Sequence, residues 1–292
     1  MKDNIINSHP ILYKIYHESF LSAPLHYVKQ FSIYLKFKSK AAVQYISSLP
    51  RKFGFKDARY EKLKSYHNKY VGKRCFITCT GPSLTISDLE MLEGEYVFGM
   101  NSICLIHDKT DWKPDFLGIQ DVHVFEKIKD TLLYTDNGVV FAPYYYRKKL
   151  KTPEDWVYWH MCGSYHIYEM IYTKKFFAKY SDDCYVRIYD GYSITYSILQ
   201  LATYMGFSEI YLLGADCSYL GKQQHFIETG HYDPGFRELT DRLFSSYGKA
   251  KEFAESHGIK IFNATRGGCL EMFPRVKLED VISRQEKNKA HR

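Results

Sequence analysis

A short turn after an apolar, β-prone run is the first place in the sequence that could bind a phosphate. The run at 74–80 ends on Thr80 and is followed at once by Gly81, Pro82 and Ser83. Gly81 lets the backbone approach a ligand closely, and Pro82 stiffens the turn. Ser83 adds a hydroxyl beside a helix start, where backbone N–H groups favour phosphate. The alternative is an ordinary turn without a ligand.

Two further β-prone runs end on polar side chains. Asn101 closes one of them, and Gln120 and Asp121 close the next. In a parallel sheet the carboxyl ends of the strands share one edge, where the ligands of α/β proteins bind. Asn101, Gln120 and Asp121 are therefore expected to share a site with Ser83, although each taken alone could be a cap or a loop anchor.

A helix start supplies two more hydroxyl groups. Ser193 and Thr195 open a pattern over 193–205 in which apolar residues recur at helical spacing. The Ser193 hydroxyl could cap the helix or, with the backbone donors of the first turn, hold a phosphate. The polar, glycine-containing loop at 263–268 could likewise touch a nucleotide or only turn the chain.

A candidate general base follows another buried strand pattern. This pattern ends in Gly214 and Asp216, and the loop after it contains Tyr219, His225 and His231. Imidazole titrates near neutrality, so a histidine in a loop after a strand-end aspartate can act as a general base. We expect one of the two histidines to be catalytic; the alternative is that both are structural.

The elements that must position these residues alternate between strand and helix from residue 74 onward. This alternation predicts a Rossmann-like α/β fold, in which a mostly parallel sheet is flanked by helices. The predicted catalytic domain covers residues 71–283, and its aromatic, Lys-rich region at about 145–190 is expected to be a lid or acceptor subdomain. Residues 284–292 are predicted to be a charged tail.

Residues 1–70 are predicted to form a helical appendage whose helices break at Pro50. The first 74 residues contain 15 Lys and Arg against 4 Asp and Glu, interleaved with aromatic side chains; the rest of the chain contains 25 against 29. Such a segment is expected either to attach peripherally to an anionic lipid surface or to be a solvated basic face. No recognition motif accompanies the charge, so no nucleic-acid partner is expected.

Seven cysteines are scattered along the chain without metal-knuckle spacing. Several lie in apolar runs, so we expect reduced, buried thiols in a cytoplasmic protein. We also expect no secretory signal and no membrane-spanning segment. The expected location is the cytoplasm, with attachment to the inner membrane face through the basic segment, and homo-oligomerisation stays open.

Several of these blocks occur in an order that resembles a known group. The run at 79–84, then Asn101, then the block at 206–216 resembles the bacterial sialyltransferases, which have one Rossmann-like domain and a lid. The sequence is still more similar to their relatives, the 6-hydroxymethylpterin diphosphokinase-like proteins, of which the segment at 259–276 is typical. That wider group includes flagellin-modifying, capsule and lipopolysaccharide glycosyltransferases. The resemblance covers about residues 74–282.

The resemblance implies a donor and an acceptor. The donor would be a CMP-linked acidic keto-sugar such as sialic acid or Kdo, and the acceptor a surface glycan or glycolipid. The turn at 81–83 and Asn101 would contact the nucleotide monophosphate. Ser193 and Thr195 would lie near its phosphate or the sugar carboxylate.

The resemblance also implies how the reaction would proceed. Transfer would be an inverting displacement at the anomeric carbon, without a required metal or other cofactor. Tyr219 would stabilise the departing phosphate. His225 would deprotonate the acceptor hydroxyl, with His231 as the second candidate.

Three residues depart from the sialyltransferase pattern. Thr80 stands where an asparagine usually precedes Gly-Pro-Ser, and Gln120 and Asp121 replace a site asparagine. An aspartate suits a divalent cation better than a phosphate. A second hypothesis is therefore a metal-dependent, diphosphokinase-like transfer of pyrophosphate to a small molecule, with Asp121 and Asp216 holding magnesium. A third is a non-catalytic nucleotide-binding protein.

Overall fold

The computed structural model divides the chain into two compact units. The residues that it describes are 22–134, 136–173, 175–218, 226–227 and 236–283. The smaller unit groups the chain up to residue 47 with residues 163–176, and the larger unit contains 48–162 and the chain from 177 onward. The predicted site residues that the structure describes all belong to the larger unit.

Short parallel strands form the centre of the larger unit. They are β1 (Arg74–Thr78), β2 (Tyr96–Met100), β3 (Phe116–Gly118), β4 (Val139–Pro143), β5 (Val157–Trp159), β6 (Met161–Cys162), β7 (Ile188–Tyr189), β8 (Glu209–Leu213) and β9 (Lys260–Asn263). One 7-stranded sheet has the order β5-β4-β3-β2-β1-β8-β9, and every neighbouring pair in it is parallel. β6 and β7 form a separate parallel pair.

Helices connect and cover these strands. In chain order they are α1 (Ser22–Ile46), α2 (Leu49–Lys52), α3 (Glu61–Lys64), α4 (Ile86–Glu90), α5 (Val122–Tyr134), α6 (Tyr145–Leu150), α7 (Tyr165–Thr173), α8 (Ile194–Tyr204) and α9 (Phe236–Ser256), with a 3-10 helix at Asn101–Ile106. α1 and α7 belong to the smaller unit. The predicted Rossmann-like α/β fold, with a mostly parallel sheet flanked by helices, is confirmed.

The strands are apolar along nearly their whole length because both faces of the sheet are covered. In β1, β2, β4 and β8 every residue after the first is buried, and β3 and β5 are buried throughout. Buried parallel strands need no alternation of polar and apolar residues. Aromatic rings fill much of this core; the ring centroids of Phe98 and Phe116, for example, are 4.6 Å apart.

The strand order reverses between β1 and β8. From β1 the chain adds β2, β3, β4 and β5 on one side of the sheet, then returns to add β8 and β9 on the other side. In open α/β sheets a crevice forms where the order reverses, outside the carboxyl ends of the strands. The loops that follow β1 and β8 therefore flank the position where a ligand is expected.

Helix α8 packs closely against the middle of the sheet. A Cβ atom at Gly118 would lie 2.8 Å from the Ile198 Cδ1 atom, so a larger residue in β3 would force the Ile198 side chain to move. Ser193 caps the helix, its side chain accepting the Thr195 N–H at 3.2 Å. The predicted helix over 193–205 is confirmed, and its first turn lies at the edge of the sheet where the strands end.

Some predicted boundaries differ from the structure. Pro50 does not break a helix; α1 ends at Ile46, and Pro50 lies in the first turn of α2, where its missing N–H costs nothing. The third strand is shorter than the predicted run at 115–121, so Gln120 and Asp121 lie in the loop that follows it.

The division into units also differs from the predicted domain layout. Residues 48–70 belong to the larger unit, where Tyr60 and Leu63 are buried in the core, although the prediction placed them in the appendage. The region at 145–190 is divided: β5 joins the edge of the main sheet, and residues 163–176 belong to the smaller unit.

All seven cysteines are free thiols. Six are buried and Cys269 is exposed. This agrees with the expectation of reduced thiols and corrects it at Cys269. Within the residues that the structure describes, no helix combines the length and the apolar character needed to cross a membrane.

Candidate functional site

Two glycines bring the loops after β1 and β8 into contact. The Gly81 N–H donates to the Gly214 carbonyl oxygen at 2.9 Å. A Cβ atom at Gly81 would lie 2.3 Å from that oxygen and 2.1 Å from Oδ2 of Asp216. Gly214 itself has a φ of +64°, in the left-handed region that favours glycine. The two loops can therefore meet, at the point where the strand order reverses, only with glycine at these two positions.

Asp216 is the charged side chain at this contact. Its Oδ2 atom accepts the Ser83 hydroxyl at 2.8 Å and the Ser83 N–H at 3.4 Å. The residue is buried, and its Oδ1 atom has no hydrogen-bond donor among the described residues. One carboxylate oxygen thus holds the turn after β1, while the other is available to a ligand hydroxyl, an amine or a cation.

The loop after β9 holds the backbone at Ala215 and Asp216 by hydrogen bonds. The Cys269 N–H donates to the Asp216 carbonyl oxygen at 2.8 Å, and the Thr265 hydroxyl accepts the Ala215 N–H at 2.9 Å. A Cβ atom at Gly268 would lie 2.5 Å from the same Asp216 carbonyl oxygen. The sequence left open whether this loop touches a nucleotide or turns the chain. Its observed contacts include the loop after β8 and, through Arg266, the carboxylate of Asp88 in α4.

Arg275 holds that supporting loop in place. Its guanidinium donates to the carbonyl oxygens of Thr265, Gly267 and Gly268 at 3.0, 2.7 and 3.2 Å. Sequence reasoning did not single out Arg275, because its partners are backbone atoms whose position depends on the fold. A lone arginine after a glycine-containing loop was the signal that could have pointed to it.

Asn101 occupies the end of β2 in an unusual backbone conformation. Its φ is 46°, a left-handed value that asparagine tolerates better than most residues. Its Oδ1 atom is buried and has no hydrogen-bond partner. An unsatisfied buried acceptor costs about 1–3 kcal/mol.

The first turn of α8 lies beside the ends of β1 and β2. The Thr195 hydroxyl donates to the Met100 sulfur at 3.4 Å and lies 3.6 Å from Sγ of Cys79. Ser193 is occupied as the N-cap of this helix. The structure therefore brings Thr195 and the α8 N-terminus to the edge that also contains Asn101, Gly81 and Ser83.

Both ends of the Gln120 side-chain amide form hydrogen bonds within the protein. Its Oε1 accepts the Ser197 hydroxyl at 2.6 Å, and its Nε2 donates to Oδ1 of Asp190 at 3.1 Å. The Tyr145 hydroxyl donates to the Gln120 carbonyl oxygen at 3.0 Å. Burial, together with the carboxylates of Asp190 and Asp121, raises the pKa of Tyr145 well above its usual value, so its phenol stays protonated. Gln120 therefore links the end of β3 to α8 and Asp190.

Asp121 lies in a different place from Asp216. Its Oδ1 accepts the N–H groups of His123 and Val124 at 2.7 and 3.2 Å, which caps the start of α5. Asp121 follows β3 and Asp216 follows β8, so three strand spacings of about 4.8 Å put them about 14 Å apart. One magnesium ion binds its ligands at about 2.1 Å, so these two aspartates do not fit the same ion.

The buried thiol in the site is not an activated nucleophile. Burial raises the pKa of Cys79 to about 12; the hydrogen bond with Thr195 opposes this shift and the Asp216 charge adds to it. The thiolate is the reactive form, so Cys79 is inert near neutral pH. Its role in the site is to pack against Thr195.

The predicted catalytic residues Tyr219, His225 and His231 lie outside the described residues. Phe226, the residue after His225 in sequence, is described: its N–H donates to the Thr80 carbonyl oxygen at 2.7 Å. Thr80 stands immediately before the Gly81 turn. This contact adds a further link between the chain after β8 and the turn after β1, beside the bonds of Gly81 and Ser83.

The doubly wound sheet and the polar groups at its switch point define a Rossmann-like α/β protein. Residues 54–222 match the family model described as 6-hydroxymethylpterin diphosphokinase MptE-like, and the chain belongs to this family. The predicted similarity to the diphosphokinase-like proteins is thereby confirmed. The match includes β1 to β8, whereas β9 and the two candidate histidines lie beyond it. No curated protein matches the chain.

Proposed function

We propose that the chain is a transferase that binds a nucleotide donor at the carboxyl edge of its sheet, between β2 and β8. The observation that carries this proposal is the buried Oδ1 of Asn101, which has no hydrogen-bond partner among the described residues. Asn101 directly follows Met100, whose sulfur accepts the Thr195 hydroxyl at the start of α8. A bound nucleotide would supply the missing hydrogen bond. The family's association with transferases supports the same class of reaction.

The donor that these groups fit best is a nucleotide sugar. Hydroxyl and backbone N–H groups at the start of α8 suit a phosphate, and Asp216 Oδ1 suits a ribose hydroxyl or a base amine. The aspartates, about 14 Å apart by strand spacing, do not make a shared cation site. We therefore retain a CMP-linked acidic sugar as the donor and a glycan or glycolipid hydroxyl as the acceptor.

In this reaction the acceptor hydroxyl loses its proton to His225, and its oxygen attacks the anomeric carbon. The bond from that carbon to the phosphate oxygen breaks, and CMP leaves with the electron pair. Donors aimed at the departing phosphate lower the barrier, since they act where negative charge develops. His225 is preferred to His231 because the neighbouring Phe226 is anchored to Thr80, beside the donor site.

A second candidate is pyrophosphate transfer from ATP to a small hydroxyl compound, which the family description favours. Magnesium would then bridge donor phosphates and neutralise their charge, and such ions need only one or two protein carboxylates. Asp216 fits this role through Oδ1, whereas Asp121 caps α5 instead. Among residues 22–134, 136–173, 175–218, 226–227 and 236–283, no group of three or more His, Cys, Asp or Glu could hold a metal.

A thermal-shift titration with CMP and ATP, each with and without magnesium, separates the two candidates. A ligand that binds only the folded protein raises its melting temperature. A shift by CMP that needs no magnesium supports the nucleotide-sugar donor. If ATP raises the melting temperature only with magnesium, and CMP does not raise it, the diphosphokinase-like reaction replaces the nucleotide-sugar transfer. No shift with any nucleotide would refute a nucleotide-dependent transferase.

The same titration on Asn101→Ala tests the placement of the donor. We expect the nucleotide to bind about tenfold more weakly, as for the loss of one strong hydrogen bond. Asn68→Ala is the matched control, because Asn68 also has a left-handed backbone, with a φ of 53°, but precedes β1 at the opposite end of that strand. Equal loss of affinity in both variants would assign the effect to backbone strain rather than to ligand contact.

A further inference from the structure

Helix α1 is apolar on two opposite faces. One face contains Ile33, Phe37 and Ala41, which are half-buried in the smaller unit. On the same helix, the Tyr34 ring meets Tyr168 of α7 edge-on at 5.7 Å. This face accounts for the packing of α1 within its own unit.

The opposite face of α1 is an apolar row open to solvent. We call it the exposed row: Val28, Phe31, Leu35, Ala42 and Ile46, at spacings of three, four, seven and four residues. Such spacings place side chains along one side of a helix. Val28 is 66% exposed, Phe31 52% and Ile46 62%, so these large apolar groups meet water along most of a 25-residue helix.

Charge on α1 is positive throughout. The helix contains four lysines and no acidic residue. Lys29, Lys36 and Lys40 are separated by seven and four residues and form a row about a third of a turn around the helix from the exposed row. An apolar stripe beside a lysine row is the arrangement of helices that lie in the plane of a membrane surface.

We propose that the exposed row of α1 docks on an anionic phospholipid bilayer, with the helix in the plane of the interface. The bilayer offers apolar contact for Phe31 and Leu35 and negative charge for Lys36 and Lys40, and the helix itself contains no acidic residue. A second copy of the chain fits less well. Pairing two such rows would bring lysines near lysines without an acidic partner on either helix.

Co-sedimentation of the full chain with vesicles tests this proposal. The vesicles are phosphatidylcholine alone, or phosphatidylcholine with about one-third phosphatidylglycerol, near the charge of anionic bacterial and cytoplasmic leaflets. We expect binding to the anionic vesicles that weakens as salt is raised, since exposed charges are screened. No binding, or equal binding to both vesicle types, would overturn the proposal.

Matched variants identify the surface. Phe31→Glu with Leu35→Glu should reduce the partition onto anionic vesicles more than about tenfold, because two apolar side chains leave the interface. Val71→Glu with Leu133→Glu makes the same chemical change at exposed positions of the larger unit and should bind as the unmodified chain does. Equal loss in both variants would show an effect of charge alone and overturn the assignment to α1.

Two further measurements complete the test. Lys36→Gln with Lys40→Gln should weaken binding to anionic vesicles about tenfold while leaving circular dichroism unchanged. Light scattering of the unmodified chain gives its mass in solution. A dimer that Phe31→Glu with Leu35→Glu dissociates, together with an absence of vesicle binding, would assign the exposed row to a second copy and overturn the lipid proposal.

Discussion

The Ser83 hydroxyl donates to Asp216 Oδ2 at 2.8 Å, although the two residues are 133 positions apart in sequence. This bond joins the loop after β1 to the loop after β8, across the point where the strand order reverses. It keeps one oxygen of Asp216 occupied and leaves the other without a donor among the described residues. A ligand that enters this edge meets an acceptor whose position is already set, which lowers the entropy lost on binding.

The charge of Asp216 can be tested apart from its structural bond. Asp216→Asn retains an oxygen that can accept from Ser83 but loses the negative charge. We expect the free energy of unfolding to change by less than about 1 kcal/mol, and nucleotide affinity to fall about tenfold. Denaturant titration and calorimetry measure the two effects. Asp136→Asn, an exposed carboxylate paired with Lys113, is the control and should change neither; unaltered nucleotide affinity in Asp216→Asn would remove Asp216 from the ligand site.

Gly81 should tolerate no side chain. In Gly81→Ala the new Cβ would meet Asp216 Oδ2 at 2.1 Å and the Gly214 carbonyl oxygen at 2.3 Å, so the two loops must separate. We expect a loss of at least about 2 kcal/mol in the free energy of unfolding, measured by urea denaturation.

Gly248→Ala is the control for this substitution. Gly248 lies within α9, and its nearest neighbours, two Met272 atoms, would be 3.8 Å from the new Cβ. Alanine there should be neutral or stabilise the protein by up to about 1 kcal/mol, because it is the better helix former. If Gly81→Ala unfolds at the same urea concentration as the unmodified chain, the close contact between the loops does not exist in solution.

Arg275 should control the rigidity of the loop below Asp216. Arg275→Ala removes the hydrogen bonds to the carbonyl oxygens of Thr265, Gly267 and Gly268, and we expect a cost of about 1–2 kcal/mol. The Cys269 amide, which donates to the Asp216 carbonyl oxygen, should then exchange its hydrogen faster. Hydrogen–deuterium exchange followed by mass spectrometry measures the exchange rate of this amide.

Arg59→Ala is the corresponding control. Arg59 also donates to a neighbouring group, the Asp57 carboxylate, but lies before β1 and outside the supporting loop. Its removal should leave exchange at the Cys269 amide unchanged. Unaltered exchange in Arg275→Ala as well would mean that the loop keeps its shape without the guanidinium.

The seven thiols should differ sharply in reactivity. Iodoacetamide at about pH 8 should modify the folded chain once, at Cys269, because the other six thiols are buried. Partial desolvation nevertheless raises the pKa of the Cys269 thiol, so its alkylation should accelerate as the pH rises and the thiolate forms. Intact mass spectrometry counts the adducts. We expect none on the folded Cys269→Ser variant, and seven on the unmodified chain after denaturation. A second adduct on the folded chain would contradict the burial of Cys79 and its raised pKa.

Local features were predictable from the sequence because they depend on residues a few positions apart. The helix over 193–205 and its Ser193 cap were predicted within a residue, since apolar spacing and capping are short-range effects. The alternation of strands and helices predicted the parallel sheet for the same reason. Parallel strands run in the same direction, so their carboxyl ends share one edge of the sheet. This places Ser83, Asn101 and Asp216 at that edge.

What the sequence alone determined is therefore the set of elements and the edge at which polar groups collect. Tertiary structure decided which of those groups meet. Strand order put β8 next to β1 and β3 two strands away from β1, so Asp216 contacts Ser83 while Asp121 caps a separate helix. It also joined residues 163–176 to α1 and gave Arg275 its backbone partners. These outcomes depend on the free energy of packing between residues that are far apart in the chain. Local patterns of residue spacing carry no information about that packing.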